Sequence, residues 1–176
     1  MNKKQELNAF IKDCITTALI KQMETQSLGK ISVTELVKTA GVSRVSFYRN
    51  FESKQDVLEK HLMKLIQEWG KEFEEKNDAA YFSESLLLHF YKYKDFYLLL
   101  NRQGLSSLIY ENIRQATKLE ESQNNVERYL KSSVAGAIFG WIDEWLRQGM
   151  KESPQEIQAI IAMAEQKQQK TEQNQN

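Results

Sequence analysis

The chain of 176 residues contains one proline, Pro154, and seven glycines, while apolar residues recur three and four positions apart along almost its whole length. A half-buried strand alternates with period two and an amphipathic helix carries a stripe of period 3.6; only the second pattern runs through this sequence. Proline interrupts a helix interior and glycine weakens it, so a chain nearly free of both is left to be helical. The spacing predicts an all-α protein of about nine helices.

Local chemistry marks where these helices start and stop. A first helix is expected over about Lys3–Met23, with Leu7, Phe10, Ile11, Cys14, Ile15 and Ala18 on its apolar face, ending before Gly29. The stretch "SVTE" announces a second, because Ser32 can accept a free backbone N–H while Glu35, three residues on, reaches back. It should stop near Ala40, since Gly41 takes the backbone conformation that a tight helix-to-helix turn requires. Ser43 then caps a short helix through about Asn50. Ser53 caps a fourth, with Asp56 in its first turn and the stripe Leu58, Leu62, Leu65, Trp69, Phe73 running to about Lys76.

Seven aromatics lie between Tyr81 and Tyr97, on two helices that part near Lys94. Further helices are expected over Ser106–Glu121, over Asn125–Met150, and from Pro154 onward, where Ser153 caps and Glu156 sits in the first turn. The end, "QKQQKTEQNQN", lacks apolar anchors, and residues 169–176 are expected to fray.

With 41% hydrophobic and 27% charged residues the chain has the makings of a globular core. Cys14 is the single cysteine, which excludes an intramolecular disulfide and nearly excludes a thiolate metal site. The opening MNKKQELNAF has no apolar stretch, and the longest uncharged run, Ser132 to Ile142, has 11 residues against the ~20 that span a bilayer. A cytoplasmic protein without membrane association is expected. The formal net charge is zero, yet residues 1–60 carry 10 Lys/Arg against 7 Asp/Glu, or +3, and residues 61–176 carry 14 against 17, or −3.

Within that first part, "AGVSRVSFYRNF", residues 40–51, holds two arginines and no carboxylate. Two short helices joined at a glycine have the layout of a helix-turn-helix, whose second helix enters the major groove of DNA. Val42, Phe47 and Phe51 would face inward, which leaves Ser43, Arg44, Ser46, Tyr48 and Arg49 outward. Arginine near a helix start suits guanine O6 and N7, so Arg44 is the first candidate for reading sequence. Ser43 either caps its own helix or binds phosphate. Tyr48, Arg49, Lys54 and Thr34 are candidates for the phosphate backbone. A helical hairpin with merely solvated basic residues is the competing reading.

From Ser32 to Leu58 the sequence resembles the DNA-binding module of the tetracycline-repressor (TetR) family. The residues that carry this are Ala40-Gly41-Val42-Ser43, Phe47-Tyr48, and Asn50-Phe51-Glu52-Ser53-Lys54 through Leu58. The stretch "WLRQGMKESPQEI" is similar to the junction of the last two helices in a subgroup of that family. The resemblance implies a three-helix DNA-binding module over residues 1–52 and a larger helical domain for effector binding and dimerisation over 53–168. It implies DNA contacts drawn from Thr34, Ser43, Arg44, Ser46, Phe47, Tyr48, Arg49 and Lys54. Val45 stands where the family often has glycine, so the bases read cannot be carried over from relatives, while Val37, where the family often has alanine, calls only for slight repacking.

A homodimer on a near-palindromic double-stranded operator is implied as well, paired through the last two helices, with Ser133, Ala137, Gly140, Trp141, Trp145, Ile157 and Ile161 as candidate contacts. Trp69, Phe73, Phe90, Tyr97 and Tyr110 are candidates to line a cavity for a small apolar or aromatic effector, or else to fill the core. No catalytic constellation assembles: the two histidines, His61 and His89, lack metal-ligand spacing, and no nucleophile, base and orienting group come together. Neither a metal nor a cofactor is expected. The favoured function is a ligand-responsive, DNA-binding repressor; the alternative is a helical co-regulator that works through a protein partner.

Overall fold

The computed structural model describes residues 3–76 and 81–173, and every regular element among them is helical. In chain order these are α1 (Lys3–Met23), α2 (Val33–Ala40), α3 (Arg44–Asn50), α4 (Lys54–Lys76), α5 (Phe82–Lys92), α6 (Lys94–Arg102), α7 (Ser106–Ala116), α8 (Asn125–Arg147) and α9 (Pro154–Gln173). Single 3₁₀ turns lie at Leu28–Lys30 and Leu119–Glu121. Among the described residues no helix is long and apolar enough to cross a membrane.

Three helix ends depart from the expected ones. The seventh helix stops at Ala116 rather than near Glu121, because Lys118 turns to φ 51° and the chain tightens into a 3₁₀ segment. The eighth stops at Arg147 rather than Met150, since Gly149 and Met150 both take positive φ, 79° and 49°. The ninth runs on to Gln173, so most of the stretch expected to fray is helical; glutamine, lysine and glutamate are fair helix formers and nothing there breaks the helix. Residues 174–176 lie outside the described residues.

One continuous apolar core runs from Ile15 to Ile157. The short helices α2 and α3 pack against α1, and α4 packs in turn on α1, α5 and α7. Helix α8 lies on α6 and α7, and α9 lies on α5. The burial of α1 begins at Ile15: Leu7 and Phe10, expected on the buried face, are 60% and 65% exposed, and of that half only Ile11 packs against the core. A long-range tie joins the two ends of the core, as Gln103 Nε2 donates to the carbonyls of Met23 (2.8 Å) and Gln26 (3.1 Å).

Candidate functional site

The pair α2–α3 is built from caps. Ser32 Oγ accepts the N–H of Glu35 (3.1 Å), and the Glu35 carboxylate accepts in return from the Ser32 backbone, closing the capping box. At the other end Gly41 takes φ 68°, ψ 28°, and the N–H of Val42 reaches back to Val37 O at 3.0 Å. That left-handed residue is what reverses the chain in so few residues, and an L side chain there would be strained. Ser43 then caps α3 by accepting from Ser46 N–H at 3.0 Å, and the Ser43 and Ser46 hydroxyls lie 2.9 Å apart. In the free chain, Ser43 is thus a cap.

Helix α3 has one anchoring ring and an open outer face. Phe47 is fully buried, 5.9 Å from the Phe51 ring and edge-on to Tyr48. It therefore cannot touch DNA, which corrects its inclusion among the contact residues: the aromatic edge of the motif is the foundation of the surface, not part of it. Arg44, Val45, Tyr48 and Arg49 are exposed, as are Ser43 and, on the first turn of α2, Thr34, while Ser46 is half-buried. The Arg44 guanidinium carbon lies 5.9 Å from the Tyr48 ring centre, one turn along the helix. Among the described residues no carboxylate pairs with Arg44 or Arg49. Val45, where the family often has glycine, is 67% exposed in the middle of this face, whereas Val37 is buried in the core.

Lys54 is placed differently from the expectation of a phosphate contact. Its ammonium, half-buried, donates to the carbonyls of Leu28 and Ile31 on the turn that precedes α2. Two of its three donors are thereby used, and the residue fastens the start of α4 to the helix-turn-helix. Lys60, on the next turns of α4, donates to Asn50 O (3.1 Å) at the end of α3 and pairs with Asp56 (2.8 Å).

A cavity of about 630 Å³ opens between α4 and α5. Trp69 and Phe73 line it as expected. Phe90 and Tyr97 do not: each is 1% exposed and belongs to the core behind the cavity wall. Tyr110 lies elsewhere, packed on Phe139 at 5.1 Å between α7 and α8. What the apolar pattern missed is the polar part of the lining, Glu68, Glu72, Ser85, His89 and Lys92. Trp69 Nε1 donates to Ser85 Oγ (3.2 Å), and His89 Nε2 lies 2.9 Å from Tyr97 Oη, so the buried ring and phenol satisfy each other.

Burial, with a smaller contribution from the nearby Lys92 charge, pushes His89 from its ordinary 6.5 down to about 4, and burial also raises Tyr97. The folded pKa of His89 lies below the unfolded one, so the unfolded chain binds more protons between the two values. This group leaves stability unchanged above the unfolded pKa and lowers it as pH falls through that window. From about pH 7 to about pH 5 it should cost the folded chain roughly 2 kcal/mol. His61, half-buried and edge-on to Phe96 at 4.9 Å, is lowered by burial and Lys64 and adds in the same direction. His89→Gln, which keeps a partner for Tyr97, should remove its own share of the acid loss in urea titrations at the two pH values. An unchanged slope would mean that His89 is not desolvated.

The last two helices carry an open apolar face. Val126, Leu130 and Val134, spaced by four on α8, are 70%, 63% and 52% exposed, and Trp141 continues the face at 39%. Ser133, Ala137 and Gly140 are exposed on α8, and Ile160 and Met163 on α9. Trp145 and Ile157 are corrections: both are buried within the subunit, Trp145 stacking on Tyr91 and donating to Glu152 O at 3.2 Å. Neither is free to meet a partner. Ile161 is half-buried against the core.

A capped helix-turn-helix with unpaired arginines, fixed to a larger helical body that holds a cavity, is the build of a DNA-binding regulator. Comparison with protein families agrees. Residues 15–60 match the family described as bacterial regulatory proteins, tetR family, and residues 77–165 match a transcriptional regulator C-terminal region of the same family. The chain belongs to the TetR family of DNA-binding transcriptional regulators. No curated protein matches it in sequence.

Proposed function

We propose that the chain is a homodimeric repressor that reads a near-palindromic operator with α3 and leaves it when a small molecule occupies the cavity between α4 and α5. Residues 1–52 form the reading head and residues 53–168 the part that binds effector and partner; its work is binding, not catalysis. The observation that carries this reading is the outer face of α3, where Arg44 and Arg49 are exposed and no carboxylate among the described residues pairs with them. Arg44, in the first turn, reads base edges; Arg49, Tyr48, Ser43 and Thr34 grip phosphate. Ser46 supports Ser43 through their paired hydroxyls.

Pairing through the open faces of α8 and α9 supplies the second α3, so that two recognition helices meet successive major grooves. An effector releases DNA only if it prefers a state in which those helices are misplaced. Helix α4 is the element that links the two sites, since it lines the cavity with Trp69 and Phe73 and holds the turn before α2 with Lys54. Gln103 gives a second link, from the end of α6 to the end of α1.

A salt series on a bound duplex tests the division of labour on α3. Arg49→Ala should weaken binding to all sequences alike and reduce the slope of log affinity against log salt by about 1 per subunit. A loss confined to one sequence would instead make Arg49 a base reader.

A further inference from the structure

We propose that the cavity between α4 and α5 selects a lipophilic organic cation, held between the aromatic rings of Trp69 and Phe73 and the carboxylates of Glu68 and Glu72. The proposal rests on reading this cavity as the effector site, and it names the chemistry of that effector.

The wall contributed by α4 follows one helical stripe. Leu65, Glu68, Trp69, Glu72 and Phe73 fall at i, i+3, i+4, i+7 and i+8, so the carboxylates and the rings share a face. The Trp69 and Phe73 rings are stacked, 19° apart with centroids at 5.8 Å, and Phe82 packs at a steep angle against both, so the aromatic part of the wall is held as one cluster. Aromatic faces carry the negative side of the ring quadrupole and attract cations rather than anions. The charges around the mouth have the same sign. Three carboxylates, including Glu75, line the cavity against one ammonium, Lys92.

Among the described residues none of these carboxylates has a basic nitrogen within 4 Å; Glu72 and Glu68 act on Lys92 only through space, so one ammonium offsets part of the charge of three carboxylates. Lys92 Nζ lies 5.1 Å from the centre of the Tyr93 ring, and Tyr93 first, then Glu72 and Glu68, favour its charged form. The floor adds no positive charge, because buried His89 is neutral near pH 7 and is occupied with Tyr97. A cavity of about 630 Å³ is the size that takes a multi-ring small molecule. An anion of that size would face carboxylates across the mouth; a cation of the same size gains from both the rings and the rim.

Tetraphenylphosphonium and tetraphenylborate test this, since they share a shape and differ in the sign of the charge. Binding to the DNA-free protein is followed by calorimetry, and release of a labelled duplex by anisotropy. The phosphonium should bind at least about tenfold more tightly than the borate, and added salt should narrow the ratio because the rim carboxylates are exposed. The double substitution Glu68→Gln and Glu72→Gln, which is isosteric and on the surface, should lower the ratio several-fold with an unchanged Tm, the rings and Glu75 keeping the remainder. Trp69→Phe, which keeps a ring, should weaken the phosphonium and leave it preferred.

Borate binding as tight as phosphonium binding, failure of both to bind, or a ratio that the double substitution leaves unchanged would overturn the proposal. The outcomes separate it from the reading beneath it. A neutral compound such as triphenylphosphine oxide that binds better than the phosphonium and releases DNA leaves effector control standing and ends cation selectivity. A phosphonium that binds with the stated preference yet leaves DNA affinity unchanged keeps the cation site and ends effector release.

Discussion

Phe47→Ala is expected to destabilise the chain by about 3–5 kcal/mol and to abolish sequence-specific DNA binding, although Phe47 touches no DNA. The ring is fully buried beneath α3, a helix of seven residues. A helix that short does not persist in water without tertiary packing, and its cap, Ser43, contributes only about 1 kcal/mol. Phe47 is the buried residue of α3, with Phe51 buried at its end, so removing the Phe47 ring leaves a void beneath a helix that has little else to hold it. Against a total stability of about 5–15 kcal/mol the loss is large. Urea unfolding followed by circular dichroism checks it: the midpoint should fall with an unchanged slope. A variant that unfolds at the wild-type midpoint would mean that α3 is anchored by something other than this ring.

Val134→Glu is the second large effect, and it acts between subunits. Val134 is 52% exposed in the single chain and lies in the middle of the row from Val126 to Trp141, so a carboxylate there costs the isolated subunit little. In a two-fold dimer built on that face the same change enters twice and brings two like charges into an apolar contact. Dimer affinity should fall by about a hundredfold or more, which is about 2.7 kcal/mol or more. Sedimentation should show a folded monomer with unchanged helicity and sharply weaker operator binding. Trp145→Ala, buried in the same helix, should instead destabilise the subunit itself, by about 3–5 kcal/mol. If Val134→Glu sediments as the wild type does, the pairing face is not this one.

The contrast between Val134 and Trp145 also marks the limit of what the sequence discloses. Helix ends were legible wherever a cap acts within a few residues, as with Ser32 and Glu35, Gly41, Ser43, and Ser153 with Glu156. They were missed where positive φ fell on Lys118 and Met150, residues with no special liking for it. Periodicity shows that α8 has apolar stripes but not which of them α6 and α7 will cover, so it does not tell the open row at Val126, Leu130 and Val134 from the buried Trp145. Lys54 was beyond local reading for a different reason. Its carbonyl partners lie 26 and 23 residues earlier in the chain. Glu68 and Glu72 were hidden in plain view: they share the stripe of Leu65, Trp69 and Phe73, and a reading that follows only apolar residues steps over them. Among the candidate DNA contacts, the outward set was visible because α3 is short and its inward residues are few and bulky.

The central claim is that the outer face of α3 reads DNA sequence through Arg44. It is tested most directly by selecting duplexes from a random pool with the wild-type protein, then measuring wild type and Arg44→Ala on the selected and on an unrelated duplex of equal length. Two half-sites about 10 base pairs apart, or a multiple of that, should emerge. Arg44→Ala should lose about 1–3 kcal/mol per subunit on the selected duplex and far less on the unrelated one. Equal losses on both, or a pool from which no sequence is enriched, would contradict the account and point to a regulator that acts through a protein partner instead.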